Sequence, residues 1–107
     1  MTGTEYQIKA LLTASSLDKD ALVLNGVMGL NGEAGECIDI VKKHLFQGHD
    51  LDREKLIDEL GDVLWYAAIL AESIDTTLDD VMQHNVDKLM RRYPEGFDAG
   101  RSIHREG

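Results

Sequence analysis

Apolar residues in this chain recur at the three- and four-residue spacing of an α-helix, and the pattern predicts four helices. The first covers roughly residues 5–14, with Ile8, Leu11 and Leu12 on one side. Ser15 to Asp18 reads as a break, and Asp18 suits the cap of the next helix by accepting from exposed N–H groups. The second helix runs over about 19–45, where Leu22, Val23, Val27, Leu30, Cys37, Ile40, Val41 and Leu45 keep the rhythm. Gly26, Gly29, Gly32 and Gly35 recur inside it, each costing about 1 kcal/mol against alanine in a helix interior. Their even spacing favours close approach of another helix or a ligand along that face over a kinked segment.

After a loop at 47–50, Asp50 or Asp52 caps a third helix that runs to about residue 73. Leu56, Leu60, Val63, Leu64, Ala67, Leu70 and Ala71 fall on one stripe, and beyond Val63 other faces also carry Trp65, Tyr66 and Ile69. A helix apolar nearly all round is enclosed on several sides. Thr77 followed by Asp80 resembles a capping box for the fourth helix, which runs to about residue 92. The only proline, Pro94, follows it, and residues 97–107 read as an irregular tail carrying Arg101 and Arg105. The expected fold class is all-α: one domain over residues 1–107, a four-helix-type bundle with short connections.

Composition narrows the partners. The chain has 107 residues, 43% hydrophobic and 29% charged, with a net charge of -9. It is not built to hold nucleic acid or an anionic membrane by bulk charge, and a polyanionic substrate needs a bound cation or a local cluster of bases. A single cysteine, Cys37, excludes an internal disulfide and a cysteine-built zinc site. The start, Met1-Thr2-Gly3-Thr4-Glu5, lacks the basic and apolar segments of a signal peptide, and no run nears the ~18 apolar residues of a membrane span. Cytoplasmic residence is the expectation.

The candidate chemistry lies in two acidic pairs, Glu33 with Glu36 on the second helix and Glu59 with Asp62 on the third. Spacing of i, i+3 sets both carboxylates of a pair on one side of a helix. Residues 37–58 suffice to finish one helix, turn and bring the next back antiparallel, so four carboxylates converge on one volume. Apolar neighbours and glycine border each pair, which predicts half-buried acids. Crowded anions of that kind are protonated or held by cations, and all-oxygen ligands favour Mg²⁺ or Mn²⁺. Di-iron chemistry is disfavoured, because no histidine here follows a glutamate by three residues. The bland alternative is a solvated acidic helix face.

The stretches Gly29-Leu30-Asn31-Gly32-Glu33-Ala34-Gly35-Glu36 and Asp58-Glu59-Leu60-Gly61-Asp62-Val63-Leu64-Trp65-Tyr66 resemble the MazG-type all-α nucleoside triphosphate pyrophosphohydrolases. The later run from Asn85 through Arg92-Tyr93-Pro94-Glu95-Gly96-Phe97 is also similar. Many members carry two adjacent glutamates at the head of the first motif, whereas here Gly32 precedes Glu33. The resemblance implies hydrolysis of a nucleoside triphosphate to the monophosphate and pyrophosphate. It implies Glu33, Glu36, Glu59 and Asp62 as Mg²⁺ ligands, with a metal-activated water attacking the α-phosphorus. Glu36 or Glu59 is the candidate to take the proton.

Asn85, Lys88 and Arg92 share one face of the fourth helix and suit phosphate oxygens, and the resemblance supports Asn85 and Lys88. Lys43, two turns after Glu36, is a further phosphate candidate, and Tyr66, one turn beyond Asp62, a candidate for stacking on the base. The expected assembly is a homodimer or homotetramer that completes the bundle. The enzymatic alternative is a phosphoribosyl-ATP pyrophosphohydrolase-like activity. The non-catalytic one is an acidic helical module that binds a partner or senses a cation.

Overall fold

The computed structural model describes residues 1–14 and 18–104, and among them five helices and no β-strand. Helix α1 spans Gly3–Leu11, α2 Lys19–Phe46, α3 Arg53–Ser73, α4 Leu78–Arg92 and α5 Ala99–Ile103. Short polar side chains start the first four, each accepting from a backbone N–H that has no partner within the helix. Thr2 accepts from Glu5, Asp18 from Ala21, Asp52 from Lys55 and Thr77 from Asp80, at 2.9–3.1 Å. Of the two caps expected for α3, Asp52 is therefore the one used. Of the predicted break at Ser15 to Asp18, Asp18 is the cap of α2, and residues 15–17 lie outside the described residues.

Two expectations need correction. The tail is not wholly irregular, because α5 occupies Ala99–Ile103. Nor do the four glycines share a face: a step of three residues turns a helix by about 300°, so the series winds round α2. Gly26 and Gly29 meet α3. A Cβ at Gly26 would lie 3.0 Å from Leu70 and one at Gly29 2.1 Å from the Tyr66 ring. At Gly32 and Gly35 a Cβ would meet nothing within 4 Å. Helix α2 runs unbroken for 28 residues.

Helices α2 and α3 form an antiparallel hairpin, the main packing of the molecule, joined by a loop over 47–52. Helix α1 lies across α3 and the start of α4. Buried Gln7 accepts from Leu78 N at 2.7 Å and donates to the Thr76 carbonyl and to Glu72. Asp79 accepts from Gly3 N, Thr4 N and the Thr4 hydroxyl, which satisfies the start of α1 from the first turn of α4. The same bonds hold the Asp79 carboxyl below the usual carboxylate range, chiefly through Thr4.

The buried core gathers Ala10 of α1 with Ala68, Ile69 and Ala71 in the second half of α3, while Ile40 of α2 is buried at the other end of the hairpin, beside the 47–52 loop. That agrees with the enclosure expected beyond Val63 only in part, since Leu64 stays half exposed. At the end of α3, Asp75 takes a left-handed φ of 61°. Thr76 N then reaches the Ala71 carbonyl and Asp75 N that of Glu72, a closing turn in which an acid stands where glycine is usual. Lys19 at the start of α2 pairs with the Asp75 carboxylate.

Candidate functional site

The antiparallel register that sets Gly29 against Tyr66 also sets Glu33 of α2 against Glu59 and Asp62 of α3. One carboxylate oxygen from each of the three lies within 4.8 Å of the others. Glu33 and Glu59 are half-buried and Asp62 is exposed, so the group opens to solvent on one side. Glu33 Oε2 is fully covered and has no hydrogen-bond partner. A buried carboxylate oxygen left bare is costly, and a cation or a proton is what relieves it.

In the absence of a cation a proton serves. The Glu33 carboxyl is pushed up to about 7, first by a proton shared with Glu59, then by burial, then by the charges of Glu59, Asp62 and Glu36. Three carboxylates from two helices, one of which carries an orphaned oxygen, fit a hard divalent cation.

Glu36 is not among the three brought together. It is exposed on α2, one turn along, and acts on Glu33 through its charge. Lys43 pairs with Asp39 at 3.2 Å. It lines a cavity of about 200 Å³ at the α2–α3 loop with Ile40, His49, Asp50, Asp52 and Lys55. Tyr66 packs its ring over Gly29 and meets Trp65 edge to face, with centroids 5.0 Å apart. Trp65 in turn donates to the Thr13 hydroxyl at 2.8 Å. Asn85, Lys88 and Arg92 stand on α4, which packs on α1 and α3, with Asn85 exposed and the two cations half-buried. They are on a different helix from the three carboxylates.

Tyr6 of α1 is a residue that the sequence pattern did not single out. Its hydroxyl lies 3.4 Å from the Gly61 carbonyl, and burial and the Asp62 charge raise its ionisation. Nothing in the periodicity of residues 5–14 marks it, because its neighbour is 55 residues away along the chain.

A model of the MazG nucleotide pyrophosphohydrolase domain matches residues 24–97. The "Gene 37 protein" of Mycobacterium phage L5 is 44% identical over 77 residues, 68% of this chain and 68% of that protein. The uncharacterized protein YvdC of Bacillus subtilis (strain 168) is 42% identical over 41 residues, 38% of this chain and 39% of that one. No solved structure matches the chain closely enough to count as a relative. The domain match takes in α3, α4 and the part of α2 that carries Glu33, and on that ground this chain belongs to the MazG nucleotide pyrophosphohydrolase family.

Proposed function

We propose that this chain hydrolyses nucleoside triphosphates to the monophosphate and pyrophosphate, with Mg²⁺ as its cation and Mn²⁺ as a substitute. The observation that carries the reading is the meeting of Glu33, Glu59 and Asp62 oxygens within 4.8 Å, with Glu33 Oε2 buried and unpartnered. A divalent cation held there supplies positive charge against the triphosphate and acidifies water near the α-phosphorus.

The chain's own residues supply the rest. Glu33, Glu59 and Asp62 hold the cation. Glu36, one turn along and outside the three, is left with a free carboxylate to accept a proton, a role for which Glu59 is the alternative. Lys43 and, from α4, Asn85, Lys88 and Arg92 bind phosphate oxygens. Tyr66, held edge to face by Trp65, offers a ring face or hydroxyl to the base.

The test is direct. Purified protein with Mg²⁺ and a panel of canonical, deoxy and oxidised triphosphates, with phosphoribosyl-ATP included, is expected to release pyrophosphate. Glu59→Ala is expected to lower turnover by about 10²-fold or more, the scale of losing an electrostatic catalytic contact. Absence of turnover with every substrate, despite retained cation binding, would overturn the hydrolase reading in favour of a cation-sensing module.

A further inference from the structure

Helix α1 precedes the residues that match the MazG domain, yet it crosses α3 beside the carboxylate group. A helix of nine residues is marginal on its own in water, so its place is fixed by what it bonds to. Gln7, only 4% exposed, accepts from Leu78 N at 2.7 Å and donates to the Thr76 carbonyl at 2.9 Å. Asp79 accepts from Gly3 N at 3.0 Å and from the Thr4 hydroxyl at 2.6 Å. Just past the other end of α1, the Thr13 hydroxyl accepts from Trp65 at 2.8 Å. Polar bonds on both sides of it thus hold Tyr6 in place.

Tyr6 projects about 100° round the helix from Gln7. Its half-buried ring reaches α3, where the hydroxyl donates to the Gly61 carbonyl at 3.4 Å. A helical carbonyl that accepts one backbone N–H keeps a second lone pair for such a bond. Gly61 is the residue immediately before Asp62. Burial and then the Asp62 charge raise the Tyr6 phenol. The same charge also raises Glu33, after the proton shared with Glu59 and burial. Asp62 therefore acts on Glu33 of α2 and on Tyr6 of α1.

Of the three gathered acids, Asp62 is the exposed one. A carboxylate facing water samples several rotamers and gives up that freedom when it takes a cation. Partners outside the ligand set reduce the cost by orienting the ligand beforehand.

We infer that Tyr6 is a positioning residue for the cation site: its phenol, bonded to the Gly61 carbonyl, borders the turn of α3 that carries Asp62 and orients that carboxylate toward Glu33 and Glu59. Two helices then supply the ligands and a third supports them. The bond is longer than the usual hydroxyl contact, so the effect is one of geometry more than of bond strength. The inference rests on the proposed cation site and not on the hydrolase reading.

Mn²⁺ binding to the full chain, followed by loss of the free ion's paramagnetic resonance signal, tests this without turnover. Tyr6→Phe keeps the ring and drops the hydroxyl. It is expected to weaken Mn²⁺ binding about tenfold, the lower end of what such outer partners contribute. Its urea midpoint without metal should stay near that of the parent chain. Thr13→Val loosens α1 at its far end, away from the carboxylates, and is expected to leave Mn²⁺ affinity unchanged. Equal Mn²⁺ binding by Tyr6→Phe and the parent would overturn the inference and leave the cation site standing. So would an equal loss in Thr13→Val, or a fall in the metal-free midpoint of Tyr6→Phe, since either would assign Tyr6 to docking of α1 alone. A parent chain that binds no Mn²⁺ would overturn the cation site and this inference together.

Discussion

Glu33 shows how much one side chain's surroundings change its chemistry. An exposed glutamate titrates well below neutrality, whereas this carboxyl, sharing a proton with Glu59 and partly buried, titrates at about 7. The native state therefore binds a proton there that the unfolded chain releases above its ordinary value. Stability from this group is full below about 4.5 and is lost as pH rises toward 7. A cation reverses the sign, because it needs the deprotonated form. Titration calorimetry with Mg²⁺ in buffers of different ionisation enthalpy is expected to show proton release near pH 6 that fades by pH 8. Apparent affinity should fall about tenfold per unit below pH 7. In Glu33→Gln both the proton release and the affinity should drop. Gly29 makes the companion point about space: the Tyr66 ring occupies the place of a side chain, so the register that aligns the carboxylates depends on a missing Cβ.

Among the elements, α1 carries the least sequence signal and makes the most specific contacts. Its role was not legible in the apolar spacing of residues 5–14, because what anchors it is polar and distant. Gln7 bonds to Leu78, Thr76 and Glu72, and Asp79 closes the start of the helix. Gln7→Leu removes the acceptor of Leu78 N in a buried setting. It is expected to lower unfolding free energy by about 1–3 kcal/mol in urea titration, the penalty for an orphaned donor. Amide exchange should quicken at Leu78 in the same variant. The limits of α2, α3 and α4, by contrast, were readable to within a residue or two. Caps and apolar period are both local, and Asp18, Asp52 and Thr77 serve as the composition suggested.

At the scale of the whole molecule, crowded like charge becomes a stability term. Three carboxylates held together by the α2–α3 hairpin repel one another when no cation lies between them. Saturating Mg²⁺ or Mn²⁺ is therefore expected to raise the melting temperature. At about 100 times Kd the gain is ~2.7 kcal/mol by linkage. Differential scanning calorimetry with and without metal checks this. The effect should vanish in the double variant Glu33→Gln, Asp62→Asn. An unchanged melting temperature in the parent chain would mean that the carboxylates are not a preformed cation site.

The sequence alone determined that the chain is helical, roughly where each helix starts and stops, and that two acidic pairs sit at i, i+3 on successive helices. All of these follow from spacing within some four residues, the range over which a helix places side chains on one face. The half-burial expected for all four acids holds for Glu33 and Glu59 alone, Glu36 and Asp62 being exposed. Tertiary structure decided what meets what. It brought oxygens of Glu33, Glu59 and Asp62 within 4.8 Å of one another while leaving Glu36 a turn away, and it set Tyr6 beside Gly61. It also divided the evenly spaced glycines between the inner and outer sides of α2. The reason is physical: identity and period choose a helix and its apolar faces, but the register between two helices is set by close packing across the contact.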